Sequence, residues 1–224
     1  MADAWLPGAG RLPSRHDGGP LRGGAPRAVW HTSENDPLAI SARSVAQRLE
    51  QRGGNAHVVW NPFTGEIMQM MPATQAALML PDGIGREGRR CLQIVVVAFA
   101  REPFTDGAMD GLGPIMDWLD VWQVPRRWPA GRPLPPPEAY ATPRDRRAWA
   151  RGGHFGVSQV PYAEGPAPGA IDIAKITGPG PPREVPQTEV PRPGASESLR
   201  MTSLMPDAAA PPPEPAHVRA SSPT

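Results

Sequence analysis

The chain has 224 residues, of which 32 are proline and 24 glycine, too high a content of helix- and strand-interrupting residues for one packed domain throughout. With 23 basic against 22 acidic side chains the formal charge is +1, which excludes both a nucleic-acid binder dominated by phosphate contacts and an acid-rich disordered chain. The one cysteine, Cys91, excludes an internal disulfide and any zinc site built from several thiolates.

Residues 1–26 are rich in Gly, Pro and Arg, with Trp5 and Leu6 as isolated anchors, and read as an extended arm laid on a domain. No apolar run of secretory type occupies the start, and no later stretch approaches the roughly 18 apolar residues of a membrane span. A cytoplasmic location is the expectation, with release to the cell wall by a non-signal route as the alternative for a phage-derived chain.

The domain itself is expected over residues 27–176. Arg27 to His31 reads as a strand, followed by a polar loop. Asp36 before Pro37 predicts a helix start, and Leu38, Ala42, Val45 and Leu49 make its apolar stripe until Gly53-Gly54 ends it. Ala56 to Trp60 and Glu66 to Met71, joined by a loop at Asn61 to Gly65, predict a hairpin. Gln93 to Phe99 is almost continuously apolar and rich in β-branched residues, as a central strand covered on both faces requires.

Asp110 predicts the cap of a second helix, lined by Leu112, Ile115, Met116, Leu119 and Trp122 and stopped by Pro125. From Arg126 to Arg151, Pro and Arg predict a long loop with little regular structure. Residues 177–224 hold too few large apolar side chains to offset their ordering entropy and are expected to be a disordered Pro-rich tail. Pro179 to Pro182 in it is also a candidate ligand for an aromatic groove. The fold class these elements imply is mixed α/β, a central sheet flanked by helices.

His31, at the end of the first strand and before a polar loop, is either a metal ligand or a hydrogen-bonded strand residue when read alone. The stretch Gly153-His-Phe-Gly-Val-Ser-Gln-Val-Pro161, followed by Pro166-Ala-Pro-Gly-Ala-Ile-Asp-Ile173, adds more. Together with Trp30-His-Thr-Ser-Glu34, Ala56-His-Val58, Gly65-Glu-Ile-Met-Gln69 and Cys91-Leu-Gln-Ile94, it resembles the zinc N-acetylmuramoyl-L-alanine amidases of the type-2 family. That family includes phage endolysins and is related to peptidoglycan-recognition proteins. The resemblance runs from about Trp5 to Ile173, with several motifs in the family's order.

The resemblance implies a mixed sheet with flanking helices and cleavage of the amide between the muramoyl lactyl group and L-alanine of the stem peptide. It also implies one zinc on three protein ligands, an open position for water or the scissile carbonyl, and a carboxylate base. His31-Thr32 matches the first ligand motif. Val157 stands where the family has a second histidine ligand, Ala167 where it has a ligating aspartate, and Val95 where it has the general-base glutamate. None of the three replacements carries a donor, so no catalytic residue is expected, and the family's zinc is expected to be absent or weakly held. A lone histidine cannot reproduce the about 10–16 kcal/mol of a complete structural zinc site.

The expected function is therefore recognition of peptidoglycan or a muropeptide by an impaired or inactive amidase. The alternatives are an active zinc amidase with a shifted ligand set of His31, His154 and Asp172, and a protein-interaction scaffold working through its tail. Thr32, Trp60 and Trp128 are the candidate groove residues, with Arg126, Arg127, Arg144, Arg146 and Arg147 as further basic candidates. No nucleic-acid partner and no membrane span are expected.

Overall fold

The computed structural model describes residues 3–141, 144–165 and 168–178. Of the tail expected from residue 177, Thr177 ends a helix and Gly178 follows it, while residues 179–224, with the Pro179 to Pro182 segment, lie outside the described residues, as does Ala167. Six strands form one sheet: β1 (Gly10–Arg11), β2 (Arg27–Thr32), β3 (Val58–Trp60), β4 (Ile67–Gln69), β5 (Cys91–Val96) and β6 (Gly153–Gly156). Their order is β1-β4-β3-β5-β2-β6, with β3 and β4 antiparallel and every other pair parallel. Four helices accompany it: α1 (Ala42–Gln51), α2 (Leu112–Val121), α3 (Arg146–Arg151) and α4 (Ile173–Thr177). The mixed α/β expectation therefore holds. Among the described residues no helix is long and apolar enough to cross a membrane.

The two faces of the sheet separate by residue parity. Ala28 and Trp30 of β2, with Leu92, Ile94 and Val96 of β5, pack beneath α2 through Leu112, Ile115, Met116 and Leu119. On the opposite face Val95 of β5, Val97 just after it and Val59 of β3 pack against Ala42, Val45 and Ala46 of α1. Val29 and Phe155 face the same way and pack with Trp149 of α3. Burial on both sides explains why β5 is apolar at every position except Gln93.

The arm is tied into this sheet. Leu6 is buried, β1 pairs with β4, and the Gln69 side chain accepts from Leu6 N at 2.5 Å and donates to Ala4 O at 3.0 Å.

Several elements depart from the sequence expectations. Asp36 starts a turn and not α1: its carboxylate accepts from Leu38 N and its carbonyl from Ile40 N, so Leu38 stays 67% exposed. Ser41 caps α1 by accepting from Ser44 N. At α2 the cap is Gly111, at φ 85°, with no side-chain hydrogen bond; Asp110 instead offers its carbonyl to Trp60 Nε1. The 126–151 segment, expected to be irregular, contains α3, capped by Asp145.

Candidate functional site

Parallel β2, β5 and β6 bring their carboxyl ends to one edge of the sheet, where the candidate residues were expected. In register, His31 lies directly opposite Val95 on β5. On the other side Trp30 pairs with Gly156, and Val157 follows one residue later in a short 3-10 turn. Val157 is fully buried in the apolar cluster that contains Val29, on the His31 face of the sheet. The three positions that the family motifs equate with ligand, ligand and base thus converge at one strand edge, and two of the three are valine. Pro168 and Gly169, beside the undescribed Ala167, are held there too: Gly169 N donates to Ala100 O at 2.7 Å.

His31 is buried, and its Nε2 is buried without a hydrogen-bond partner. Burial pushes its pKa down to about 3, since a charged imidazolium has no compensating group there. Thr32, also buried, donates from Oγ1 to Glu34 Oε1 at 2.8 Å, and the same oxygen accepts from Ala100 N at 2.7 Å. Glu34 therefore fixes the β2 loop against the chain leaving β5, a role that the sequence did not announce.

The residues present do not fit a catalytic zinc. Such a site needs three protein donors around one ion, and His31 offers a single free nitrogen between valines. Among the described residues, no three His, Cys, Asp or Glu side chains come together in an arrangement that could hold a metal ion.

The shifted set of His31, His154 and Asp172 is not brought together. His154 pairs with Ala28, three residues before His31, so the two side chains leave opposite faces of the sheet. His154 is stacked between Trp30 and Trp128, with ring centroids 6.0 and 5.9 Å away. Its Nδ1 accepts from Trp30 Nε1 at 3.1 Å, and burial, with a smaller push from Arg126, lowers its pKa to about 3. Asp172 caps α4, accepting from Ala174 N at 3.0 Å.

Two of the expected groove residues are also placed elsewhere. Trp60 is fully buried, and Trp128 is 7% exposed, with its indole donating to Gln159 Oε1; both belong to the core on the α2 face. The arginines do not form one groove. Arg126 is paired with Asp120, Arg146 with Glu87, and Arg127 with the Arg151 carbonyl.

Thr32 does border a pocket, of about 250 Å³, with Ser33, Asn35, Val95, Arg48 and Arg52. Arg48 of α1 and Arg52, which caps its end, reach it one turn apart, on the side that also carries Val45 and Leu49. Sequence reasoning used the apolar half of that helix stripe and passed over the two arginines beside it. The Ser33 hydroxyl at this edge is buried and unpartnered. The arrangement can hold an anionic, hydrogen-bonding group against an apolar wall.

No family model matches the chain, and no curated protein matches it. Solved structures do. The endolysin N-acetylmuramoyl-L-alanine amidase LysCS from Clostridium intestinale URNW is 17% identical, over 52% of this chain and 75% of its own, with a TM-score of 0.37. The Ph2119 endolysin from Thermus scotoductus MAT2119 bacteriophage Ph2119 is 13% identical, over 73% and 92%, with a TM-score of 0.39. Staphylococcus aureus hydrolase AmiA is 12% identical, over 55% and 60%, also with a TM-score of 0.39. In fold, the chain is similar to structures of N-acetylmuramoyl-L-alanine amidases and endolysins.

Proposed function

We propose that this protein recognises peptidoglycan fragments through an amidase-type edge of the sheet and does not hydrolyse them. The reading rests on the order of the sequence motifs and on one observation above the rest: the strand partner of His31 is Val95, and the turn beside it carries buried Val157. Water bound to zinc ionises near pH 7 instead of about 15.7, and without three donors neither that nucleophile nor the Lewis acid is available. Loss of the carboxylate base removes about another 10²- to 10⁴-fold.

Valine at these positions also suits the fold. A carboxylate at 95 or an imidazole at 157 without a metal would be a buried polar group without a partner, which is costly. Binding needs only the pocket by Thr32, where Arg48 and Arg52 match the carboxylates of a stem peptide and Val95 gives an apolar floor.

The test combines metal analysis with two murein assays. Protein purified with zinc in the medium is expected to carry far less than one zinc per chain and to release no stem peptides from purified peptidoglycan. It is expected to cosediment with that peptidoglycan, and the double substitution R48Q/R52Q is expected to weaken cosedimentation by roughly tenfold or more, the loss of at least one charge-assisted contact. Stoichiometric zinc with chelator-sensitive peptide release would overturn the reading.

A further inference from the structure

A larger pocket, of about 620 Å³, lies at the other end of the sheet. Its walls include Pro26 and Arg90, the residues immediately before β2 and β5, whereas His31 and Val95 lie toward the carboxyl ends of the same strands. Three guanidinium groups border it, those of Arg22, Arg89 and Arg90, and no carboxylate does. Among the described residues none of the three makes an ion pair. The acidic groups nearby in sequence are already engaged: Asp120 by Arg126, and Glu87 by Arg146 and the Trp149 indole.

Arg90 is held in place before any ligand arrives. Its guanidinium lies over the Trp122 ring, 4.3 Å from the centroid, and its Nη1 donates to the Arg89 carbonyl. Its Nε is buried with no hydrogen-bond partner. Burial and then the charge of Arg89 pull its pKa down, and no carboxylate pairs with it among the described residues. The loops carrying the other two are fixed by backbone bonds from Arg22 N to Arg86 O at 2.7 Å and from Arg89 N to Gly24 O at 3.1 Å. Thr74 and Gln123 add polar groups to the rim.

We propose that this pocket is a binding site for a phosphate group, carried by a small organic molecule or by the end of a polymer. Three arginines with no counter-charge exceed what one carboxylate can satisfy. They match the three terminal oxygens and double charge of a phosphate, which planar guanidinium forks bind bidentately. The volume falls in the range of small-molecule sites, and the half-buried Trp122 gives the rest of the ligand an apolar surface. The site is independent of the peptidoglycan reading, since it shares no residue with the Thr32 pocket.

Titration calorimetry of the full chain with sodium pyrophosphate tests it. One pyrophosphate per chain is expected, with R22Q and R89Q each weakening binding roughly tenfold, the worth of one charge-assisted contact. R90K keeps the charge but loses the planar fork and is expected to fall between wild type and R90Q. Circular dichroism of each variant separates lost binding from lost fold. R43Q, on the exposed side of α1, is the control and is expected to bind as wild type. A linear polyphosphate that binds more than about tenfold tighter than pyrophosphate identifies the polymer source, and equal affinity identifies the small molecule. No heat with either probe, or R22Q and R89Q binding as tightly as R43Q, would overturn the assignment.

Discussion

His154 shows how a side chain that looks chemical in sequence becomes structural through the pleat. One acceptor nitrogen is used by Trp30 Nε1, the ring is closed between two indoles, and no water-facing atom is left for a proton. His57 is similar: Nδ1 accepts from Gln93 N at 2.9 Å, so its Nε2 carries the hydrogen and donates to Gln75 O at 2.9 Å. Burial lowers the pKa of His57 to about 4 and of His154 to about 3, against 6.5 for the unperturbed group. The native state thus stays neutral where the unfolded chain takes up protons. The stabilisation is complete above pH 6.5 and is lost as pH falls toward 4, by about 1.4 kcal/mol per pH unit for each such histidine. Urea unfolding at a series of pH values is expected to show this acid loss, with a smaller slope in His154→Gln. An unchanged slope would mean that His154 protonates freely in the fold.

At the scale of elements, what was legible in the sequence was what local pattern dictates. β2, the β3–β4 hairpin, β5 and α2 all stand where apolar periodicity put them, to within a few residues. The misses have physical causes. Asp36-Pro37 has the chemistry of a helix cap, but its turn closes on itself and Ser41 starts α1. α3 is short and half of it is arginine, and it packs by burying Trp149 under the guanidinium of Arg27, 4.2 Å away, a contact between distant segments. β6 reads Gly-His-Phe-Gly, too poor in β-branched residues to signal a strand, and is made by pairing with β2.

Motif spacing brought out His31, Val95 and Val157. That His31 and His154 leave opposite faces could be read only from strand register. Gly153 marks where β6 enters: its φ is 105°, and a Cβ there would sit 2.6 Å from Arg127 O. Gly153→Ala is expected to cost about 2 kcal/mol or more in chemical unfolding. Gly54→Ala, whose Cβ would meet only Leu49 O at 3.7 Å, is expected to change stability by less than about 0.5 kcal/mol.

Across the whole molecule, one sheet separates two chemistries. At the carboxyl ends of its parallel strands His31 stands beside Val95, near Arg48 and Arg52; at the amino ends three arginines that make no ion pair among the described residues border a larger cavity. The sheet's outermost strand on the β4 side is only two residues long and comes from the arm, fastened by Leu12 N to Gln69 O and Ser14 N to Met70 O. That fastening shields β4, whose backbone would otherwise meet solvent as an open, hydrogen-bonding rim flanked by methionines. A chain shortened by its first 14 residues should therefore self-associate by strand addition. Light scattering is expected to report larger oligomers for it than for the unshortened chain at the same concentration, so the arm serves as a built-in guard against stacking.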